Sequence, residues 1–334
     1  MKAVEVQPDG GIAVVERPVP AIGRDEALMR PAASGICGSD LLDWYVRRKA
    51  GTVLGHEVAG EIVEVGSDVT DFEPGDRVVP HHHAPCLACD FCRTGRYVHC
   101  EAWRTSSLDP GGMAEFVRIP AGNLARDTRK IPAGLREEEA AWTEPLATVV
   151  KAFERSGFGP GQSILVIGLG SAGQLAVRLA RVRGASRIAA ADRVASRLRL
   201  AGSSGAQELF DVRSQRPEGA FDVVFVCPGK SEVIGQAAGL VAPGGTLLLF
   251  TMAPPGEALP LTSYELYFRE VALVPSYSCG PADTLEALQL IASHALPVAD
   301  LITHRFPITR APEAFARARE PEGSLKVMIT FGDL

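Results

Sequence analysis

The stretch GQSILVIGLGSAGQLAVRLARVRGA, residues 161–185, leaves this chain few folds to choose from. Residues 164–167 are a short unbroken apolar run, as a strand buried on both faces of a parallel sheet requires. Gly168, Gly170 and Gly173 then spell G-x-G-x-x-G, and apolar residues at Ala172, Leu175, Ala176, Leu179 and Ala180 continue at helical spacing. Glycines in this pattern permit a tight turn, close approach of backbone to a pyrophosphate, and close packing of helix on strand. The helix N-terminus adds free N–H groups and a dipole that stabilise phosphate charge. Gly168, Gly170, Ser171, Ala172 and Gly173 are therefore the candidate cofactor-binding residues. A second strand, residues 187–191, ends at Asp192, nineteen residues past Gly173, close to the spacing of a ribose-binding carboxylate. Its charge repels a 2′-phosphate and favours NAD over NADP. Arg193 and Arg197 are either guanidinium partners for such a phosphate or solvated charges on a helix face.

Strand-like runs near 164–168, 187–191, 222–227, 246–250 and 271–276 alternate with helical stretches. That order predicts an α/β fold with a doubly wound parallel sheet. Residues 1 to about 120 read otherwise. Short alternating segments broken by glycine and proline, as in EIVEVGSDVTDFEPGDRVVP, predict an antiparallel, barrel-like β domain. Helical pattern begins near residue 137, and the C-terminal LITHRFPITRAPEAFARAREPEGSLKVMITF reads strand, helix, strand, expected to return to the first domain. A length of 334 residues allows about two domains. No apolar run approaches the ~18 residues of a membrane helix. A net charge of −6 offers no basic groove for nucleic acid. Neither membrane nor nucleic acid is expected as a partner.

Of seven cysteines, Cys86, Cys89, Cys92 and Cys100 crowd into PHHHAPCLACDFCRTGRYVHC. Thiolates so spaced can converge on one tetrahedral Zn²⁺, and four protein ligands leave it no open position, so this zinc is structural. The odd cysteine count and the absence of a signal-like leader favour metal over disulfides and a cytoplasmic location. Adjacent residues of an extended strand point to opposite faces, so His81, His82 and His83 cannot all meet one ion. They are expected to pack the loop, with one of them free to face a cleft or cap the zinc lobe.

Cys37 lies in SGICGSD, and Gly55, His56 and Glu57 follow nineteen residues later. A catalytic zinc needs about three protein ligands and one open position. Cys37 and His56 supply two, and either Glu57 or Glu144, in WTEPLA, supplies the third.

In order along the chain, GICGSD, GHE, PGDRV, the four-cysteine segment, EPLA, VIGLGSAG, VCPG and LITHRFP resemble the zinc-dependent medium-chain dehydrogenase/reductase family, in the branch of alcohol, sorbitol and threonine dehydrogenases. The resemblance covers nearly the whole length. It implies a GroES-like β-rich catalytic domain of residues 1–145 and 285–334 and a Rossmann NAD-binding domain of residues 146–284, with an active-site cleft between them. It also implies a homo-oligomer, dimer or tetramer, built by joining Rossmann sheets at their edges. Two zinc ions per chain follow, structural on Cys86, Cys89, Cys92 and Cys100, catalytic on Cys37, His56 and one of Glu57 or Glu144.

Ser39 falls on the hydroxyl residue that accepts the substrate's proton, and Cys227, in VCPG, beside the cofactor. Many relatives have histidine three residues after that hydroxyl; here it is Leu42, which carries no proton. Asp43 or Tyr45 could substitute, or water and the cofactor ribose suffice; Asp43 is equally readable as a surface residue. The implied activity is hydride transfer between a small-molecule secondary alcohol and NAD, polyol, sugar or cyclitol being favoured, with NADP the less favoured cofactor. Arg47 and Arg48 keep a threonine-like amino acid in view, and a simple alcohol is a further alternative. Tyr277 and Cys279 are candidates to line the substrate pocket. A non-catalytic NAD-sensing protein would explain the glycine loop but would not need Cys37, His56 and Glu144 around an open metal.

Overall fold

The apolar run before the glycine turn forms the strand Ser163–Ile167 at the middle of a six-stranded, wholly parallel sheet. The computed structural model describes residues 1–332 and places this sheet in one unit, Thr148–Ser278; the other unit is Met1–Ala147 with the residues from Cys279 onward. Across the sheet the strands run Glu208–Asp211, Arg187–Asp192, Ser163–Ile167, Phe221–Val226, Val241–Leu249 and Ala272–Pro275. The chain first steps to one side of Ser163–Ile167 and then to the other, so the order reverses there. In doubly wound sheets ligands bind at such a switch point. Leu165, Ala189, Val224 and Leu247 belong to the core on this sheet, and the helix Ser171–Val182 buries Leu175, Ala176, Leu179 and Ala180. The strand Glu208–Asp211 was not expected; ELFD is four residues long and only half-buried, and offers no apolar run to read.

The other unit carries a seven-stranded sheet and a small hairpin of Lys2–Val6 with Ile12–Glu16. The main path runs Ile302–Pro307, Lys326–Thr330, Ala27–Gly35, Glu57–Val65, Arg77–Pro80 and Thr128–Lys130, with Val117–Ile119 paired on Ala27–Gly35. Its pairings are antiparallel except Ile302–Pro307 with Lys326–Thr330, which are parallel and joined through the helix Ala311–Arg319. One register organises the site. Gly35 pairs with Glu57 at the ends of the two longest strands, so Cys37, just past one strand, meets His56, just before the other. Among the described residues no helix is long and apolar enough to cross a membrane.

Candidate metal centres and cofactor loop

Of the four clustered cysteines, Cys92 lies in the short turn Asp90–Arg93, Cys89 caps that turn, Cys100 joins Tyr97–His99 to Glu101–Thr105, and Cys86 precedes them all; they pack with the buried Trp103. The Cys92 Sγ lies 3.5 Å from that of Cys89 and 3.9 Å from that of Cys86, and all four sulfurs fall within 4.8 Å of one another. Four thiolates on a tetrahedral zinc at ~2.3 Å would stand about 3.8 Å apart, whereas a disulfide needs ~2 Å. Backbone N–H groups of Ala88 and Cys89 donate to the Cys86 sulfur and hold its pKa down to about 6. Burial instead pushes the Cys92 thiol up. Spacing, donor type and backbone N–H groups aimed at sulfur together fit a structural zinc.

A second group gathers Cys37, His56 and Glu57, whose ligand atoms also lie within 4.8 Å of one another. Burial is the largest influence on His56 and lowers its pKa, but Cys37 and Asp40 outweigh it and raise it well above the ordinary value. Thiolate, imidazole and carboxylate are a donor set that suits zinc. Ser39 Oγ donates to Cys37 Sγ at 3.3 Å. Asp40, in the same turn, is fully buried; it accepts from Lys49 Nζ at 3.2 Å and stands 3.9 Å from His56 Nδ1 through an oxygen with no other partner. At that distance it acts on His56 through its charge and not through a hydrogen bond. Sequence reasoning passed over Asp40 although it quoted the motif that contains it.

The acids differ in company. Glu57 is buried, and its Oε2 accepts from Lys326 Nζ at 2.5 Å; Lys326 also lies over the Trp142 ring and donates to Ile36 O. A Cβ on Gly35 would fall 2.0 Å from that carboxylate oxygen, so the strand pairing leaves room only for glycine there. Lys326, 269 residues away, had no sequence signal of its own. Glu144, near the start of the helix Thr143–Ser156, is also buried. Burial raises its carboxyl above the usual range, His56 opposes the rise, and Glu57 adds to it.

Three expectations need correcting. Asp43 does not join the cluster: its exposed carboxylate pairs with Arg319 at 2.9 Å, because the helical turn after Leu42 carries it outward. Cys279 does not line an open pocket: it is fully buried, with its sulfur 3.4 Å from His81 Nε2 and its carbonyl accepting from Trp103. The histidine triplet is not extended strand, since the strand Arg77–Pro80 ends before it, and its rings crowd together at 4.1 to 6.2 Å between centroids. His81 and His82 both come within ligand range of Glu144. His81, however, has both nitrogens engaged, Nδ1 with Asp127 Oδ2 at 2.9 Å and Nε2 with Cys279. It is a buried structural histidine.

In the other unit, Gly168 adopts φ +85°, open to glycine at little cost, and a Cβ on Gly173 would lie 2.0 Å from Gly168 O. At Gly170 the nearest atom to a Cβ is Arg197 Nη1, 4.0 Å away, so backbone there is open to a ligand. Ser171 and Ala172 open the helix behind Gly170, its N-cap. Asp192 is buried, and its carboxylate accepts from the N–H of Leu169 at 2.5 Å and of Val194 at 2.8 Å. The acid is thereby locked against the glycine turn. Arg193 is exposed, and Cys227 packs against Gly168 and Gly173, its thiol pushed up by burial and by Asp192.

Comparison with known proteins agrees with this arrangement. The family model described as alcohol dehydrogenase GroES-like domain matches residues 23–132, and the one described as zinc-binding dehydrogenase matches residues 172–293. The chain is 30% identical over 346 residues to a sorbitol dehydrogenase of Gallus gallus, covering 98% of this chain and 95% of that protein. It is 32% identical over 341 residues to a D-altritol 5-dehydrogenase of Agrobacterium fabrum, covering 98% and 99%. Among solved structures, a protein of Sinorhizobium meliloti 1021 assigned as a zinc-binding dehydrogenase and bound to NADP superposes with a TM-score of 0.88 at 30% identity, with 98% of each chain covered. An alcohol dehydrogenase of Thermus sp. ATN1 gives 0.88 at 29%, covering 99% of this chain and 100% of that one.

Proposed function

We propose, since this chain belongs to the zinc-dependent medium-chain dehydrogenase/reductase family of alcohol and polyol oxidoreductases, that it oxidises a secondary hydroxyl of a polyol, sugar or cyclitol with NAD. The observation that carries the reading is the gathering of the half-buried Cys37 and His56 with the buried Glu57, the Ser39 hydroxyl standing 3.3 Å from the Cys37 sulfur. Zinc, when bound, supplies Lewis acidity that eases loss of the substrate's hydroxyl proton, and the nicotinamide takes the hydride.

The chain's own residues do the rest. Cys37 and His56 hold the metal, and the third ligand is Glu57, which lies within ligand range of both, or Glu144, which the structure groups with His81 and His82. Lys326 already neutralises Glu57, whereas Glu144 is raised by burial and by a neighbouring acid, the state of a carboxylate that gains most from a cation. Ser39 accepts the substrate proton at Oγ and gives up its own to water or the cofactor ribose, since Leu42 cannot carry a proton and Asp43 is turned to Arg319. Asp40, held by Lys49, acts on His56 from behind through its charge. Cys86, Cys89, Cys92 and Cys100 hold the second zinc, which makes two per chain.

NAD is the favoured cofactor because the Asp192 carboxylate lies against the glycine turn, where it would repel a 2′-phosphate. Bound NADP in the Sinorhizobium protein makes this choice one to measure. A reduced, metal-binding cysteine set supports a cytoplasmic location. The edge strand Ala272–Pro275 and the exposed Tyr264, Tyr267 and Phe268 beside it support a homo-oligomer joined at the sheet edge.

The test is NADH formation with hexitols, pentitols, cyclitols, threonine and 2-butanol, each with NAD and NADP, before and after chelation, on protein of measured zinc content. Chelator-sensitive oxidation of polyols with NAD is the expected result. NAD binding with no turnover of any substrate would leave a sensing role in its place.

A further inference from the structure

The strand Thr128–Lys130 ends the path of the seven-stranded sheet, and a groove of about 520 Å³ lies between its end and the helix Pro281–Ala292. That size is within the range of small-molecule sites. Both walls belong to the unit that carries the metal clusters, and none of the residues that line the groove belongs to those clusters or to the glycine turn. Leu285, Leu288 and Ala292 line it at positions i, i+3 and i+7 of the helix, so they make one apolar stripe. At 1.5 Å per residue the stripe runs for about 10 Å. Pro132 adds apolar surface on the facing wall, and Leu285 leaves 43% of its surface exposed.

The wall opposite the stripe is cationic. Arg129 donates from Nη2 to Pro281 O at 2.9 Å and stands 3.6 Å from Asp127 Oδ1. Asp127 is shared, since His81 Nδ1 and Thr284 Oγ1 also meet its oxygens. The Arg129 Nε is sealed and has no hydrogen-bond partner, while 26% of the side chain stays open to solvent. Lys130 is a second cation, already met by Asp76 Oδ2 at 2.8 Å. Among the described residues no acid lines the groove.

These two features narrow the occupant. A neutral hydrocarbon would leave the guanidinium unanswered, and inorganic phosphate would leave the leucine stripe wet. A carboxylate on an alkyl chain meets both: the head takes two N–H groups of one planar guanidinium, and the methylenes cover the stripe. We infer that this groove is a binding site for a medium-chain alkyl carboxylate, with its head on Arg129 and its chain along Leu285, Leu288 and Ala292. The site is separate from the one that carries the dehydrogenase reading and stands or falls without it.

The experiment is titration calorimetry of the zinc-loaded, full-length protein with hexanoate, octanoate and decanoate, and with decyltrimethylammonium as the cationic control. Decanoate should bind at one per chain, equally well with and without saturating NADH. Affinity should rise by about two- to fourfold per added methylene. Arg129→Gln should weaken decanoate by about 10-fold or more. Leu285→Asp, at a half-exposed position, sets a carboxylate against the ligand and should weaken it at least as much, with zinc content and thermal midpoint unchanged. No saturation by about 1 mM decanoate overturns the inference, as does equal binding of the cation. Loss of binding under NADH overturns it by placing the ligand at the cofactor site. Undiminished binding in Leu285→Asp overturns it even where Arg129→Gln fails to fold.

Discussion

Cys37 and His56 were legible because cysteine and histidine announce metal chemistry by type, and because the motifs around them are short and contiguous. What surrounds them was not. Asp40 and Asp43 sit in one run of sequence, yet one is fully buried beside His56 and the other is paired with Arg319 at the surface. Local sequence does not say which side of a helical turn faces inward. Lys326 reads as an ordinary polar residue of a strand until Glu57 is seen against it. The two acids should therefore fail in different ways. Glu57→Gln leaves the Lys326 ammonium buried without its counter-charge and should lower stability by about 3–5 kcal/mol in chemical denaturation. Glu144→Gln should leave stability closer to wild type, remove one zinc per chain and cut polyol oxidation by roughly 100-fold or more. Metal loss in Glu57→Gln with none in Glu144→Gln would make Glu57 the third ligand.

Elements were readable in proportion to how much of their signal is continuous. Strand, glycine turn and helix around Gly168 lie in one unbroken stretch, and the structure keeps them as Ser163–Ile167 and Ser171–Val182. Glu208–Asp211 was missed because four half-buried residues make no pattern. The register between Ala27–Gly35 and Glu57–Val65, which brings Cys37 and His56 together, was out of reach of sequence altogether, since pairing is decided between segments and not within them. The cysteine lobe is the opposite case: its ligands come from one short segment, and its turns, Asp90–Arg93 and Glu101–Thr105, are too short to hold their shape by backbone bonds alone. Cys89→Ser should halve the zinc content and lower the thermal midpoint by on the order of 5 °C. An undiminished two zinc ions per chain in that variant, by atomic emission, would defeat the lobe's assignment.

For the whole molecule, the sheet edge is the feature to test. Among the described residues the strand Ala272–Pro275 has one sheet neighbour, Val241–Leu249, and Tyr264, Tyr267 and Phe268 expose 72%, 76% and 68% of their surfaces. Exposed aromatic residues beside an unpaired strand edge are an unusual surface for a monomer. Tyr267→Asp combined with Phe268→Asp should shift the protein to monomer in sedimentation equilibrium while both zinc ions stay bound; an unchanged mass would place the interface elsewhere. Reading the chain as one α/β protein with a discontinuous first domain drew on its two separate patterns, whereas the buried charges of the site depend on segments far apart in the sequence. The bond between Glu57 and Lys326 spans 269 residues. At a synthesis rate of 5–20 residues per second, Glu57 leaves the ribosome roughly 15–50 s before its counter-charge exists. Throughout that interval the growing chain has an acid built for a dry interior and no cation to bury with it, so burying Glu57 before Lys326 is made would cost an unpaired charge. The ion pair is thus a clock as well as a contact, and slow elongation beyond residue 278 would lengthen the wait.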